Sequence, residues 1–464
     1  MKRKIIISIL GISTLLVSGC SSTKTTEINV LATTDLHGSI PYELGEYAKN
    51  ELKKEENVAL VDAGDFIDSD DGGAMDKYFE LRFKDYENNK QINREIPLAK
   101  DMKEIGYDAV VLGNHEFVAK DKSELSSIIS DFNKKDIDVL SANTYNKDGS
   151  NYVKPYIIKK VKTPEGEVNL GILGLTIKEV GESKYWDEES GKLVKAKSLE
   201  LKDQPGFEDL YMNDLVEDAK KYVKDMKKDG ADAIVAVAHT GERPKKPRNP
   251  GNRIQDLATQ VEGIDAIVAG HNHEQIKQHD YTNKAGEKVI VTEPGKHGDC
   301  VSKINFKLEK DKDNWKVIEK SSDIKQIEQP PLTKNGEKFF EGIFTIDENA
   351  KEISLSKIMQ FKWDKAYYFK TPISKEEVYE KVGYKWKSLA DNIEENMLQL
   401  VFMEGEKVVC NISVDKNLFK FDLKFDESEY EGNTVTIYPN KNDKFKVQMK
   451  RNKEDHSIYL THTK

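Results

Sequence analysis

Between residues 27 and 326 the chain repeats one pattern: a short apolar run, a turn rich in Asp, His, Asn or Gly, then a charge-rich amphipathic stretch. The apolar runs are 28–32, 58–61, 109–112, 139–142, 170–173, 233–237 and 266–269. At four or five residues each is too short for a helix, and near-continuous apolar character marks strands buried on both faces. Between them, 98–105 and 214–228 carry apolar residues at helical spacing, with Gly106 and Gly230 where a C-terminal cap would end each helix. Strands alternating with helices predict an α/β domain. A hairpin over 301–318 is expected to close it.

The turns carry the chemistry. Asp35-Leu36-His37-Gly38 follows the first strand, Asp62-Ala63-Gly64-Asp65 the second and Gly113-Asn114-His115-Glu116 the third. Ala238-His239-Thr240-Gly241 and Gly270-His271-Asn272-His273 follow two later ones. Ligands of open α/β sheets bind beyond the carboxyl ends of strands, so motifs distant in sequence can converge there. Singly most of these motifs are weak, whereas Gly-His-x-His has a chance expectation on the order of 0.01. Asp oxygen with imidazole nitrogen suits borderline divalent ions such as Zn, Mn, Fe or Co, and the absence of thiolate argues against a closed structural zinc site. Asp35, His37, Asp65, Asn114, His239, His271 and His273 are too many ligands for one tetrahedral ion. They suit two ions sharing a carboxylate, about 3.5–4 Å apart, as used for in-line displacement at phosphorus.

The ordered set D-x-H, G-D, G-N-H-E, H-x-G and G-H-x-H resembles the calcineurin-like metallophosphoesterase superfamily. The spellings Thr34-Asp35-Leu36-His37-Gly38 and Gly113-Asn114-His115-Glu116-Phe117 point to its 5'-nucleotidase and 2',3'-cyclic phosphodiesterase branch. The resemblance covers roughly residues 27–326 and implies a four-layer α/β/β/α sandwich. It implies one ion held by Asp35, His37 and His273, a second by Asn114, His239 and His271, and Asp65 bridging them. It makes His115, beside Asn114, the catalytic group that stabilises the transition state or protonates the leaving oxygen, and Asp62 a supporting residue. Two departures stand out. An Asp three residues after this His commonly orients it in the nucleotidase branch; here that position is Val118, and the nearest downstream carboxylate is Asp121. The branch's C-terminal domain, with its aromatic pair clamping the base, is not visible either.

The ends of the chain set location and partners. Met1 to Lys4 is basic, 5–17 is apolar, and Leu16-Val17-Ser18-Gly19-Cys20 resembles the bacterial lipobox, so 1–19 is expected to be a lipoprotein signal and Cys20 the lipidated residue. A lipid-anchored, extracytoplasmic protein follows, with 20–26 as tether. The net charge is −10, and removing Lys2, Arg3 and Lys4 leaves 69 basic against 82 acidic residues, which argues against bulk nucleic acid as a partner but not against a small phosphorylated substrate. Two charged stretches, 68–93 and 178–206, read as loops or lids near the site. Residues 327–342, with Gln329-Pro330-Pro331 and Asn335-Gly336, read as a linker. From 343 to 464 a small α+β domain is expected, with a helix starting at Ser374 and a hairpin about Glu404-Gly405. Its Trp363, Tyr367, Tyr368, Phe369 and Trp386 are expected in a core rather than on a binding face. The expected activity is hydrolysis of a small phosphate ester, 5'-nucleotidase-like. Two alternatives stay open: a non-catalytic or weakly catalytic surface lipoprotein whose C-terminal module binds a partner, and a hydrolase of another ester, such as a cyclic nucleotide or thiosulfate ester.

Overall fold

A computed structural model describes residues 24–38, 40–68, 75, 78–79, 82, 96–119, 121–187, 192–243, 251–328, 332–347, 349–386, 389, 392–451 and 456–463. The expected signal segment, Cys20 and most of 68–93 lie outside the described residues.

Two six-stranded sheets form the centre. The first comprises β1 (Thr25–Thr33), β2 (Val58–Asp62), β3 (Ala109–Val111) and β4 (Asp138–Leu140). The second holds β5 (Tyr156–Thr163), β6 (Gly166–Thr176), β7 (Ala233–His239), β8 (Ala266–Ala269), β9 (Gln275–Thr282) and β10 (Lys288–Pro294). The chain then returns to the first sheet with the hairpin β11 (Cys300–Asp311) and β12 (Asn314–Gln326). The spatial orders are β12-β11-β1-β2-β3-β4 and β9-β10-β8-β7-β6-β5. Both centres are parallel; antiparallel strands close both edges of the second sheet and the β12 edge of the first, whose other edge, β4, runs parallel to β3.

Strand pleating explains why the apolar runs are near-continuous. In β2, Val58 and Leu60 face helices while Ala59 and Val61 face the other sheet. Ile28, Val30 and Ala32 of β1 meet Val235, Val237 and Val268 of the second sheet in one buried layer. Outside the first sheet lie α1 (Tyr42–Lys54), α2 (Pro97–Ile105) and α3 (Lys122–Asn133), packing Leu44, Leu98, Met102 and Phe132. Outside the second lie α4 (Leu215–Lys228) and α5 (Ile254–Gln260), packing Val223, Met226 and Leu257. The result is the four-layer α/β/β/α sandwich. Gly106 ends α2 at φ 109°, as its position predicts.

Several expectations are corrected. Thr25 and Thr26, assigned to the tether, already belong to β1 and pair with Glu309 and Leu308. The stretch 178–206 is not simply a loop: Glu179–Asp187 pairs antiparallel with Lys192–Glu200, and Val180 and Leu201 anchor its base in the core. In 68–93, Met75 and Tyr78 are core residues, and Arg82 is buried in an ion pair with Glu124 at 3.2 Å.

Most of the expected linker 327–342 lies in the helix Leu332–Phe344, which runs through Asn335-Gly336. Its apolar face explains this. Phe339 and Ile343 are fully buried, and Asn335 donates to the carbonyl of Val409 at 2.8 Å. Burial of that size outweighs the roughly 1 kcal/mol cost of a helical glycine. This helix covers a mainly β module of two four-stranded sheets, with a second helix at Lys375–Val382 that starts on the expected capping box at Ser374. Tyr367, Tyr368, Phe369 and Trp386 are buried there, in a core. Phe339 touches Phe402 and Phe421, both at 5.8 Å between ring centroids. Phe339→Ala is expected to cost about 3–5 kcal/mol, read as a lower midpoint in urea denaturation. The module meets the sandwich where the Tyr384 ring lies 4.4 Å from Tyr42 and its hydroxyl donates to Glu43.

Candidate metal centre

The two sheets bring their carboxyl ends together, and the turns there are held in unusual backbone conformations. Asp35, His37, Asp65, His271 and His273 all have φ between 47° and 73°, which non-glycine residues adopt at a cost of about 1–3 kcal/mol each. Backbone hydrogen bonds hold the first two turns against each other: Asp35 N–H to Gly64 O at 2.8 Å, His37 N–H to Asp65 O at 2.9 Å and Gly38 N–H to Phe66 O at 2.8 Å. Gly113 is needed for space, since a Cβ there would lie 2.2 Å from Asp65 Oδ1. Asp62 accepts from Thr33 Oγ1 and from Gly64 N–H, closing its own turn and facing neither donor cluster.

Asp35, His37 and His273 form the first cluster, with one donor atom from each within 4.8 Å of the others. His37 Nε2 faces His273 Nε2 at 3.4 Å, and His273 Nε2 lies 3.2 Å from Asp35 Oδ1. Asp35 Oδ2 accepts from Thr34 Oγ1 at 2.6 Å and His271 N–H at 3.1 Å, whereas the buried Oδ1 has no hydrogen-bond partner. A buried carboxylate oxygen left over beside two facing imidazole nitrogens fits a cation. Thr34→Val removes one hydrogen bond that aims Asp35. It is expected to weaken metal retention about 10–100-fold, measured by competition with a chelator.

Asp65, His239 and His271 form the second cluster. His239 Nε2 is 3.0 Å from Asp65 Oδ2, and its Nδ1 is 2.8 Å from the Ala63 carbonyl, which accepts the hydrogen bond of Nδ1–H and leaves Nε2 as the nitrogen turned towards the site. Asn114 Oδ1 lies 3.1 Å from His239 Nε2 and 2.9 Å from His271 Nδ1. All seven residues singled out from sequence thus meet in two adjoining groups. Burial opposes ionisation of Asp65, but His239 and His115 outweigh it and hold the carboxyl well below the usual carboxylate range. Burial likewise works against a charged His239, yet Asp65 raises it to about 10. Burial and the charge on His239 push His271 down to about 4. Without metal, the proton on His239 supplies the positive charge that Asp65 demands. The donor set suits a divalent cation in its place.

Comparison with known families decides the lineage: residues 28–275 match the profile of the calcineurin-like phosphoesterases. The chain belongs to that family. A relative in Bacillus subtilis, the trifunctional nucleotide phosphoesterase protein YfkN, is 30% identical over 330 residues, covering 65% of this chain and 21% of that protein. The 2',3'-cyclic-nucleotide 2'-phosphodiesterase/3'-nucleotidase of Yersinia enterocolitica is 26% identical over 360 residues, covering 70% of this chain and 50% of that one. The chain therefore spans between a fifth and a half of the length of these two relatives. The crystal structure of calcineurin-like phosphoesterase YfkN superposes with a TM-score of 0.52 at 26% identity, covering 66% of this chain and 92% of that one.

Two residues of the site were not recognised in the sequence. Glu116, within the Gly113-Asn114-His115-Glu116 motif, is fully buried and accepts four backbone N–H groups: Asp65 at 3.0 Å, Phe66 at 2.9 Å, Ile67 at 3.2 Å and Gly113 at 2.5 Å. One carboxylate thus ties the turn after β2 to the turn after β3. The other is Asp68, whose Oδ2 is 2.5 Å from His115 Nδ1. That bond is the largest cause of the rise of His115 to about 9. Asp121 plays no such part, because it caps α3 by accepting from Glu124 N–H at 2.9 Å. The only available signal for Asp68 was its place three residues after Asp65. Both cysteines among the described residues, Cys300 and Cys410, are buried and free.

Proposed function

We propose that the chain hydrolyses a small phosphate ester, a nucleotide in the first instance, at a centre of two divalent ions outside the cytoplasm. The observation that carries this reading is the pair of adjoining donor clusters, with the buried Asp35 Oδ1, which accepts no hydrogen bond, 3.2 Å from His273 Nε2. Asp35, His37 and His273 would hold one ion and Asn114, His239 and His271 the other, with Asp65 shared. Ions so held supply Lewis-acid polarisation of the phosphoryl oxygens and lower the pKa of water for attack on phosphorus. The chain's own contribution is alignment and a proton. The Nδ1 bond of His239 to Ala63 fixes its ring, and Asn114 is wedged between His239 and His271. His115, 34% exposed at the mouth, is accessible to substrate and can protonate the departing oxygen from Nε2.

The names of the relatives, a nucleotide phosphoesterase and a cyclic-nucleotide phosphodiesterase/3'-nucleotidase, support nucleotides as the first substrates to try. The test is a panel of 5'-, 3'- and 2',3'-cyclic nucleotides and an aryl phosphate, assayed with manganese or zinc. Hydrolysis of at least one is expected. Failure on all of them, or equal activity in Asp65→Asn, would sink the reading. The lipobox-like Leu16-Val17-Ser18-Gly19-Cys20 supports anchoring through Cys20 on the outer membrane face. Labelled fatty acid should enter the wild-type protein and not Cys20→Ala, and labelling of both or neither would refute the anchor.

A further inference from the structure

We infer that the end of β10, through Glu293, positions His273 and sets the affinity of the first ion alone. The turn 270–274 carries ligands of both clusters, His271 of the second and His273 of the first. Both sit at positive φ, 73° and 60°, so the turn keeps its shape through bonds to its surroundings. Its two halves are held from different sides. The loop after β7 holds the first half: Gly270 N–H donates to Thr240 O at 3.3 Å, Asn272 Nδ2 to Glu242 O at 2.8 Å, and Asn252 Nδ2 to Asn272 Oδ1 at 2.8 Å. The end of β10 holds the second half. Glu274 N–H donates to Glu293 Oε1 at 2.9 Å, and Gly295 N–H donates to Glu274 O at 2.9 Å. Both backbone groups of the residue that follows His273 are thus fixed from one place. The same segment reaches across the first cluster, where His297 N–H donates to Asp35 O at 2.8 Å.

Glu293 is fully buried, and Glu274 N–H is the single group it bonds among the described residues. Burial opposes its charged form, and the charges of Asp35 and Glu274 add to this, so Glu293 is pushed well above the usual carboxylate range. A carboxyl that accepts one N–H in a dry site is what glutamine can copy and leucine cannot. The donors of the second cluster are held from elsewhere, His239 by the Ala63 carbonyl and the turn of Asp65 by Glu116. Loosening residue 274 therefore frees His273 and leaves the other cluster in place. The inference rests on the two-ion reading for its metal half.

The test is a titration of metal-free protein with manganese, in which wild type is expected to take up two ions. Glu293→Leu is expected to bind one ion as wild type does and the other about 10–100-fold more weakly. Glu293→Gln keeps the acceptor and is expected to match wild type. In a His273→Ala background, already weakened at that ion, Glu293→Leu is expected to change nothing further. Gly295→Ala places a Cβ at φ 76°, 3.0 Å from Gln275 Cγ, and carries the expectation of Glu293→Leu should that variant not fold. Independently of metal, amide exchange over 273–276 should quicken in Glu293→Leu and not in Glu293→Gln. Equal weakening of both ions in Glu293→Leu would overturn the inference, as would wild-type binding of both. A further loss in the His273→Ala background, a Glu293→Gln that fails like Glu293→Leu, or unchanged exchange in Glu293→Leu would overturn it too. If wild type takes up fewer than two ions, the two-ion reading fails, while the exchange rates still decide whether Glu293 holds the turn.

Discussion

Asp65→Asn is expected to lower metal affinity by more than about 100-fold and to remove hydrolysis with it. Asp65 is the carboxylate of the second cluster, and it is wholly buried against His239 at 3.0 Å. Its negative charge raises His239 to about 10, so the same charge attracts either a proton or a metal ion. Asparagine keeps the shape and one oxygen but not the charge. Its amide cannot stand for both oxygens, of which Oδ1 accepts from His115 N–H and Oδ2 faces His239. Metal content after dialysis and turnover on the best substrate should fall together. A variant that keeps its metal but loses turnover would confine Asp65 to the chemistry, and one that keeps both would remove it from the centre.

Glu116→Gln is expected to destabilise the sandwich by about 2–6 kcal/mol without altering the side chain of any proposed metal ligand. Four N–H donors converge on two carboxylate oxygens. Glutamine replaces one of those oxygens by an NH2 group, so two backbone donors lose their acceptor and face another donor inside a dry core. At about 1–3 kcal/mol for each unsatisfied group, this exceeds what most conservative substitutions cost. A lower urea midpoint with unchanged slope, accompanied by weaker metal binding, is the expected result. An unchanged midpoint would mean that the two turns hold their shape without this carboxylate.

The strands and the two donor clusters were legible because both depend on local pattern. An unbroken run such as 58–61 is what a two-sided buried strand requires, and the residue after such a run must face the sheet's carboxyl end. Contacts that depend on how two turns fold over each other were not legible. Nothing in Asp65-Phe66-Ile67-Asp68 says that the last carboxylate will meet His115, because that meeting is set by Glu116 and by the pairing of β2 with β3. The helix Leu332–Phe344 was hidden for the opposite reason. Asn335-Gly336 is a strong local turn signal, and only the buried Phe339 and Ile343 overrule it. The pair Glu179–Asp187 and Lys192–Glu200 was hidden because its charge-rich sequence carries no apolar alternation.

β1 lies inside the first sheet, between β2 and β11, with Thr25 opposite Glu309. A ribosome delivers β2 about twenty-five residues after β1 but must add the whole second sheet before β11 arrives. Throughout that interval one side of β1 is a bare ladder of amide and carbonyl groups, open to any other strand it meets. Closure of the sandwich is therefore a late, long-range event that sets a slow folding clock. A chain cut before residue 300 would carry both metal clusters and still present an adhesive edge.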